Sequence, residues 1–154
     1  HWNEQRAKTF FREVDERSKT GQEELLSVSH LTGVTPRSQK NVTMFKAASY
    51  VGSKLCQPGD IVINTRAIDS ICAEQGFIPN LIKMDIEGAE PFAIEGAIET
   101  LRRFRPKLAI AIYHCPEDFS RIALFLKSLN LGYKFYLGHF TPHGAETILF
   151  AKAD

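Results

Sequence analysis

Three carboxylates follow a short apolar run in the second half of the chain. Residues 81–84 read LIKM, and Asp85, Glu87 and Glu90 follow in the sequence DIEGAE. The run is typical of a buried parallel strand that opens into a functional loop. Carboxylates there can bind Mg²⁺, with Asp85 and Glu87 as candidate ligands, or act as a general base toward a substrate hydroxyl. In a purely structural alternative, Asp85 caps the loop, and Glu87 and Glu90 stabilise the N-terminus of the next helix.

A histidine ends the next apolar run along the chain. Residues 107–114 read KLAIAIYH, which predicts a second buried strand with His114 at its end. Parallel strands end at the same edge of a sheet, so His114 is a candidate catalytic residue beside the three carboxylates. The alternative is a hydrogen-bonded histidine at a strand end. The other histidines and the three cysteines, Cys56, Cys72 and Cys115, show no metal-ligand spacing.

Alternating apolar patterns around these residues predict an α/β fold. Helices are expected from Pro91 to Arg103 and from Pro116 onward, the second with Phe119, Ile122, Ala123 and Leu126 facing inward. Residues 133–140 and 146–153 predict an antiparallel hairpin. Residues 61–64 predict a strand, and residues 66–75 a helix capped by Thr65. The order predicts a three-layer sandwich with helices on both sides of a mixed sheet.

The first sixty residues have a weaker pattern. Residues 4–16 suggest a charged helix, residues 25–29 a strand, and residues 32–58 a long loop with one short helix. The C-terminal strands alone would form an incomplete sheet whose exposed edge permits self-association. We therefore expect the strands at 25–29 and 61–64 to pair with them and complete the sheet.

Composition narrows the class of protein. The chain has 154 residues, 44% hydrophobic and 24% charged, with a formal net charge of +1. These values fit one globular domain and exclude disorder, a membrane-spanning helix and a strongly basic nucleic-acid module. The opening residues lack the apolar core of a signal peptide, and the cysteines suggest no disulfide framework. We therefore expect a cytoplasmic location.

Several blocks of the second half resemble the C-terminal half of FkbM-type S-adenosylmethionine-dependent methyltransferases. The blocks are LIKMDIEGAE, GAIETLRRFRPKLAIAIYHCPEDF, GYKFYL and ETILFA, and the likeness covers about residues 62–153. The resemblance implies a Rossmann-like fold in which this segment supplies the fourth to seventh strands. It also implies S-adenosylmethionine as cofactor and methyl transfer to a substrate oxygen.

Residues 1–65 resemble a different family of proteins from the rest of the chain. The stretch from FFREVDERSKTGQEELLSVSH to GDIVINT resembles the start of a target-recognition domain in the specificity subunit of a type I restriction-modification enzyme. This resemblance implies DNA binding through cations and hydroxyls, for which the candidates are Arg37, Ser38, Lys40, Lys46, Tyr50 and Lys54. The alternative is a solvated polar loop. Together the two resemblances suggest a single domain made of two segments, 1–64 and 65–154, joined as a chimera.

The cofactor loop expected of a methyltransferase is missing from the sequence. Such a loop needs closely spaced glycines after the first strand, but no GxG occurs, and no two of the ten glycines lie closer than six residues. We therefore expect no bound S-adenosylmethionine and incomplete catalysis. A DNA-binding fragment and a folded chimera without evolved activity remain the alternative hypotheses.

Overall fold

A computed structural model describes the strands at residues 25–28, 39–46, 54–55 and 61–65, followed by residues 66–143 and 145–154. Five of the strands form one mixed sheet: β1 (Leu25–Val28), β5 (Leu81–Met84), β6 (Lys107–Ala111), β7 (Tyr133–His139) and β8 (Thr147–Ala153). Their order across the sheet is β1-β5-β6-β8-β7. The first three are mutually parallel, whereas β8 runs antiparallel to both β6 and β7.

The predicted C-terminal hairpin is confirmed by the pairing of β7 with β8, and the predicted strand at 81–84 is present. β6 is shorter than predicted. It is buried along its whole length but ends at Ala111, so Tyr113 and His114 lie in the segment that follows it.

A second sheet includes part of the predicted N-terminal loop. It contains β2 (Gln39–Lys46), β3 (Lys54–Leu55) and β4 (Ile61–Thr65) in the order β3-β2-β4. The long-loop prediction for residues 32–58 is therefore wrong at residues 39–46 and 54–55. The β2–β4 register shifts between Gln39 and Thr43, and such an irregularity hides the alternation by which a strand is recognised.

Of the two N-terminal strands expected to complete the main sheet, one joins it and the other joins the second sheet. Leu25–Val28 pairs in parallel with Leu81–Met84, as expected. Residues 61–64 pair with β2 instead, so that part of the prediction is wrong. The predicted helix at residues 4–16 lies outside the described residues.

In the described part of the chain, four helices accompany the sheets: α1 (Ile68–Gln75), α2 (Glu90–Glu95), α3 (Ile98–Phe104) and α4 (Asp118–Ser128). The predicted cap of α1 by Thr65 is wrong, because Thr65 belongs to β4 and α1 begins after Ala67 without a side-chain cap. The inward position predicted for Phe119 is also wrong, since Phe119 is 54% exposed while Ile122 and Leu126 are buried. None of these helices is both long and apolar enough to cross a membrane.

The helix predicted from Pro91 to Arg103 is divided into α2 and α3 at Gly96 and Ala97. Asp69 of α1 explains the division. Its carboxylate accepts hydrogen bonds from the backbone N–H groups of Glu99 at 3.1 Å and Thr100 at 2.8 Å, in the first turn of α3. Its own backbone N–H donates to the Gly96 carbonyl at 2.8 Å. Asp69 thus caps a helix that starts about thirty residues later.

One hydrophobic core joins the main sheet to these helices. Ile82 of β5 and Leu108 and Ile110 of β6 are fully buried in this core, as are Ile94, Leu101, Ile122 and Leu126 on the helices. The core therefore fixes the ends of β5 and β6, from which the sequence-predicted site residues emerge.

Candidate functional site

The loop after β5 is held in shape by Glu90. The fully buried Glu90 carboxylate accepts hydrogen bonds from the backbone N–H of Ile86 at 2.8 Å and of Gly88 at 2.9 Å. Glu87 and Gly88 have positive φ angles of 57° and 93°, and a left-handed conformation is uncommon for a glutamate. Such strained positions persist only where the surroundings fix them, and here Glu90 does so.

The segment after β6 meets this loop because the two strands are parallel and adjacent. Met84 and Ile110 are register partners, so both chains leave the sheet at the same edge. His114 lies among the carboxylates there. Its Nδ1 is 3.0 Å from Glu90 Oε1, and its Nε2 is 3.3 Å from Glu87 Oε2 and 3.6 Å from Asp85 Oδ1. The structure therefore brings together the four residues predicted as catalytic, Asp85, Glu87, Glu90 and His114. We call these four the carboxylate–histidine cluster.

Burial divides the cluster into an inner and an outer pair. The side chains of Glu90 and His114 are 0% and 8% exposed, whereas those of Glu87 and Asp85 are 22% and 38% exposed. Asp85 and Glu87 are thus the groups that a ligand at this edge would reach first. The ring nitrogens of His114 are buried, and neither makes a hydrogen bond of acceptable geometry despite the nearby oxygens.

Opposite charges in the cluster stabilise each other. Burial alone would lower the pKa of His114, but the close contact with the Glu90 carboxylate, then the charges of Glu87 and Asp85, raise that pKa overall. Burial alone would raise the pKa of Glu90, but His114 and the backbone N–H groups hold it below its ordinary value. An imidazolium at His114 beside an ionised Glu90 is therefore the favoured state of this pair in the metal-free protein at moderately acidic pH.

Two further ionisable residues adjoin the cluster and were missed in the sequence. The Tyr113 hydroxyl donates a hydrogen bond to Asp85 Oδ1 at 3.1 Å, and burial followed by the interaction with Asp85 raises the pKa of Tyr113 to about 12. Asp118, 3% exposed at the start of α4, has a buried Oδ2 without a hydrogen-bond partner. Burial and the charge of Glu90 raise the pKa of Asp118. Neither residue stands out in the sequence, because Tyr113 reads as part of a strand and Asp118 as part of a helix start.

The residues predicted to bind DNA form no described site. Lys40 and Lys46 lie on β2 and Lys54 on β3, in strands described without their side chains, while Arg37, Ser38 and Tyr50 lie outside the described residues. For the metal prediction, Asp85, Glu90 and His114 form a group of three described residues whose ligand atoms lie close enough to share one ion; the predicted pair of Asp85 and Glu87 stays a prediction.

Two cavities among the described residues lie between helices, away from the cluster. One, of about 340 Å³, is lined by α1 and α3 residues that include Cys72, Thr100 and Arg103. The other, of about 50 Å³, lies between α2 and α4 and is lined by Pro91, Ile94 and Arg121 among others. None of the cluster residues lines either cavity.

Adjacent parallel strands with polar groups gathered at their carboxyl ends define an α/β domain of the kind that binds ligands at that edge. The model of the methyltransferase FkbM domain matches residues 18–135, so this chain belongs to the FkbM methyltransferase family. The match begins well before residue 62, where the likeness was placed from the sequence. It thus includes most of the segment that was compared with a restriction specificity subunit, and the comparisons give no support to that resemblance.

A solved structure agrees with the family assignment at the level of the fold. The chain resembles the crystal structure of methyltransferase FkbM from Methylobacillus flagellatus KT, with 24% sequence identity and a TM-score of 0.60. The similarity covers 97% of this chain and 34% of that one, so the chain spans about a third of the length of the solved protein. Comparison with the curated proteins gives no match.

The family implies S-adenosylmethionine as methyl donor, but the described residues do not fit that cofactor by themselves. Its carboxylate and ribose hydroxyls need available donors and a close backbone approach. The N–H groups of Ile86 and Gly88 already donate to Glu90, and the side chains that converge at this edge include three carboxylates. The absence of any GxG in the sequence agrees with this.

Proposed function

We propose that this chain carries the acceptor side of an FkbM-type methyltransferase site and does not by itself hold the methyl donor. The convergence of Asp85 and Glu87 on one accessible edge, with His114 behind them, carries the proposal. The substrate would bring a hydroxyl group to this edge, and the transferred methyl group would be received by its oxygen.

The outer carboxylates, Asp85 and Glu87, would accept the proton of the substrate hydroxyl. A hydroxyl placed beside Glu87 or Asp85 would donate a hydrogen bond to the carboxylate. It would pass its proton there as its oxygen bonds to the methyl carbon, while the carbon–sulfur bond of the sulfonium donor breaks and the donor leaves as a thioether. The hydroxyl becomes more acidic as that bond forms, so a carboxylate within hydrogen-bond reach can take its proton at that stage. His114 lies behind both groups, with its Nε2 3.3 Å from Glu87 Oε2 and 3.6 Å from Asp85 Oδ1.

The inner residues would keep the outer ones in position. Glu90 holds the N–H groups of Ile86 and Gly88, which fixes the loop that carries Glu87. The Tyr113 hydroxyl binds Asp85 and orients its carboxylate. A site of this kind needs such supporting contacts, because a displacement of about 1 Å can lower a rate by about a hundredfold.

The absence of a glycine-rich turn supports the proposal that this chain does not by itself hold the methyl donor. With no GxG in the sequence, the close backbone approach that the cofactor needs has no identified position. The DNA-binding fragment and the chimera without activity remain hypotheses, and no contact of the described residues favours either.

The acceptor side can be tested with simple hydroxyl compounds. In EDTA, the backbone amide signals of the full chain are followed by NMR while phenol, glycerol and glucose are added in turn to high millimolar concentration. We expect at least one compound to shift the amides of residues 85–88 and 113–115. The shifts should be lost in Asp85→Asn and Glu87→Gln but kept in Glu74→Gln, which removes an exposed carboxylate on α1.

Two results would overturn the acceptor-side assignment. One is the absence of any shift at residues 85–88 with all three compounds. The other is a set of shifts that persists unchanged in Asp85→Asn and Glu87→Gln, since binding would then depend on other residues.

A further inference from the structure

Three donor groups of the cluster are placed closely enough to share one cation. One ligand atom from each of Asp85, Glu90 and His114 lies within 4.8 Å of the other two. Donor atoms bound to one metal at about 2.1 Å lie at most about 4.2 Å from one another, so a small inward adjustment would bring this set to bonding distance. The set contains one imidazole nitrogen donor and two carboxylates.

A buried histidine without a satisfactory hydrogen bond supplies the second observation. His114 is 8% exposed, and both of its ring nitrogens are buried with no partner of acceptable geometry, although carboxylate oxygens lie 3.0 to 3.6 Å away. Buried polar atoms are normally paired, and each exception points to an unrecognised partner such as a water or an ion. Asp118 Oδ2 is a second such atom next to the cluster.

We propose that Asp85, Glu90 and His114 bind a divalent transition metal such as Mn²⁺ or Zn²⁺. An imidazole donor favours these ions over Mg²⁺, which prefers oxygen donors and keeps several waters. The assignment differs from the sequence-based expectation of Mg²⁺ on Asp85 and Glu87, because Glu90 and His114 replace Glu87 as ligands.

A catalytic role for this metal rests on the proposed function, because the metal would bind the same substrate hydroxyl. Three protein ligands leave coordination positions open for a substrate oxygen, and a metal there polarises a hydroxyl and eases loss of its proton. Glu87 then lies beside the metal as the carboxylate that receives the proton. Metal binding itself does not depend on methyl transfer and can be measured alone.

Calorimetric titration of the full chain, freed of metal with EDTA and then dialysed, tests the inference. Mn²⁺ is the first probe, because it has low affinity for thiolates and the partly exposed Cys115 lies near the cluster. We expect one Mn²⁺ per chain, with affinity at least about tenfold weaker in Asp85→Asn and in His114→Gln. The exposed His143→Gln and the thiol variant Cys115→Ser should bind as the wild type does. Mg²⁺ should bind more weakly than Mn²⁺.

Glu90 is left unchanged in this test, because its loss would release the loop. Circular dichroism establishes that each variant is folded before its affinity is compared. Bound Mn²⁺ should also broaden the NMR signals of residues 85–90 and 113–115 selectively, because it is paramagnetic.

Failure of Mn²⁺ and Zn²⁺ to bind at millimolar concentration would overturn the inference and leave an imidazolium held by carboxylates alone. Binding that is equally strong in Asp85→Asn and His114→Gln would overturn it too, by placing the ion elsewhere. Either result leaves the proposed acceptor site intact if the hydroxyl compounds still shift residues 85–88 in EDTA. Conversely, loss of those shifts with retained Mn²⁺ binding would remove the proposed function and leave the metal site.

Discussion

Oε1 of Glu90 lies 3.0 Å from Nδ1 of His114, so the loop after β5 and the segment after β6 meet in a buried contact of opposite charges. The Glu90 carboxylate is fully buried, and the His114 ring is nearly so. The same carboxylate accepts two backbone N–H groups of its own loop. Glu90 thus couples the shape of the loop after β5 to the protonation of a histidine in the segment that follows β6.

Stability of the metal-free protein should depend on this contact in a defined range of pH. Because the pKa of His114 is raised above its ordinary 6.5, its contribution is complete below pH 6.5 and is lost as pH rises through the raised value. Because the pKa of Glu90 is lowered from its ordinary 4.5, its contribution is present above pH 4.5 and is lost as pH falls through the lowered value. The contact should therefore stabilise the fold most between about pH 4.5 and 6.5.

Urea unfolding in EDTA, compared between wild type and His114→Gln, measures this dependence. The difference in the free energy of unfolding should be largest near pH 5.5 and should shrink as pH rises above neutrality. His143→Gln, at an exposed histidine, should show no such trend. A difference that grows from pH 6 to pH 9 would contradict the assigned charges.

Tyr113 should ionise later than an ordinary tyrosine. Burial and the hydrogen bond to Asp85 raise the pKa of Tyr113 to about 12, so its phenol should stay protonated at pH 10 to 11. Ultraviolet titration up to pH 11 should therefore give nearly the same absorbance change for wild type and Tyr113→Phe. In Asp85→Asn the absorbance change should be larger by a fraction of the signal of one tyrosine. The substitution removes the negative charge that opposes ionisation of Tyr113. Circular dichroism over the same range establishes that the chain stays folded.

Asp69 should stabilise α3 although it lies on α1. Asp69→Ala removes the acceptor for the N–H groups of Glu99 and Thr100 and should lower the free energy of unfolding by about 1 to 2 kcal/mol. Glu74→Ala, on the same helix but exposed, should change it by less than about 0.5 kcal/mol. Equal effects of the two substitutions in urea unfolding would argue against capping between the helices.

Gly138 should accept no side chain. A Cβ added there would lie 2.8 Å from ring atoms of both Phe140 and Phe150, and Phe150 is fully buried. Gly138→Ala should therefore destabilise the fold by about 1 to 3 kcal/mol. In a Phe140→Ala background the loss should be smaller but not abolished, because the Phe150 ring remains. Thermal unfolding of the four proteins measures this coupling, and full additivity would contradict the close approach.

The sequence was most informative where the signal is local. The apolar runs before Asp85 and His114 predicted two buried strands, and parallel pairing then required their ends to meet. The convergence of Asp85, Glu87, Glu90 and His114 could therefore be predicted, while their catalytic role stays a prediction. Tyr113 and Asp118 could not be predicted to join them, because their approach depends on the strand register and on where α4 begins.

Where the chain depends on distant contacts, the local pattern was misleading. Helical spacing continues from Pro91 past Leu101, yet the helix is divided because Asp69 caps its second half from another helix. Residues 61–64 form a strand as predicted, but the choice of partner was wrong, since strand composition does not specify which sheet a strand joins. The bounds of the family likeness were misplaced for a similar reason, because polar, irregular residues carry few recognisable motifs.

The most direct test of the central claim is calorimetric titration of the full chain with S-adenosylhomocysteine, with and without Mn²⁺. The account predicts no heat of binding up to millimolar ligand in either condition, because we propose that this chain carries the acceptor side of the site and does not by itself hold the methyl donor. Binding in the micromolar range, a free energy of roughly 8 kcal/mol, would contradict it and place a cofactor site in this chain.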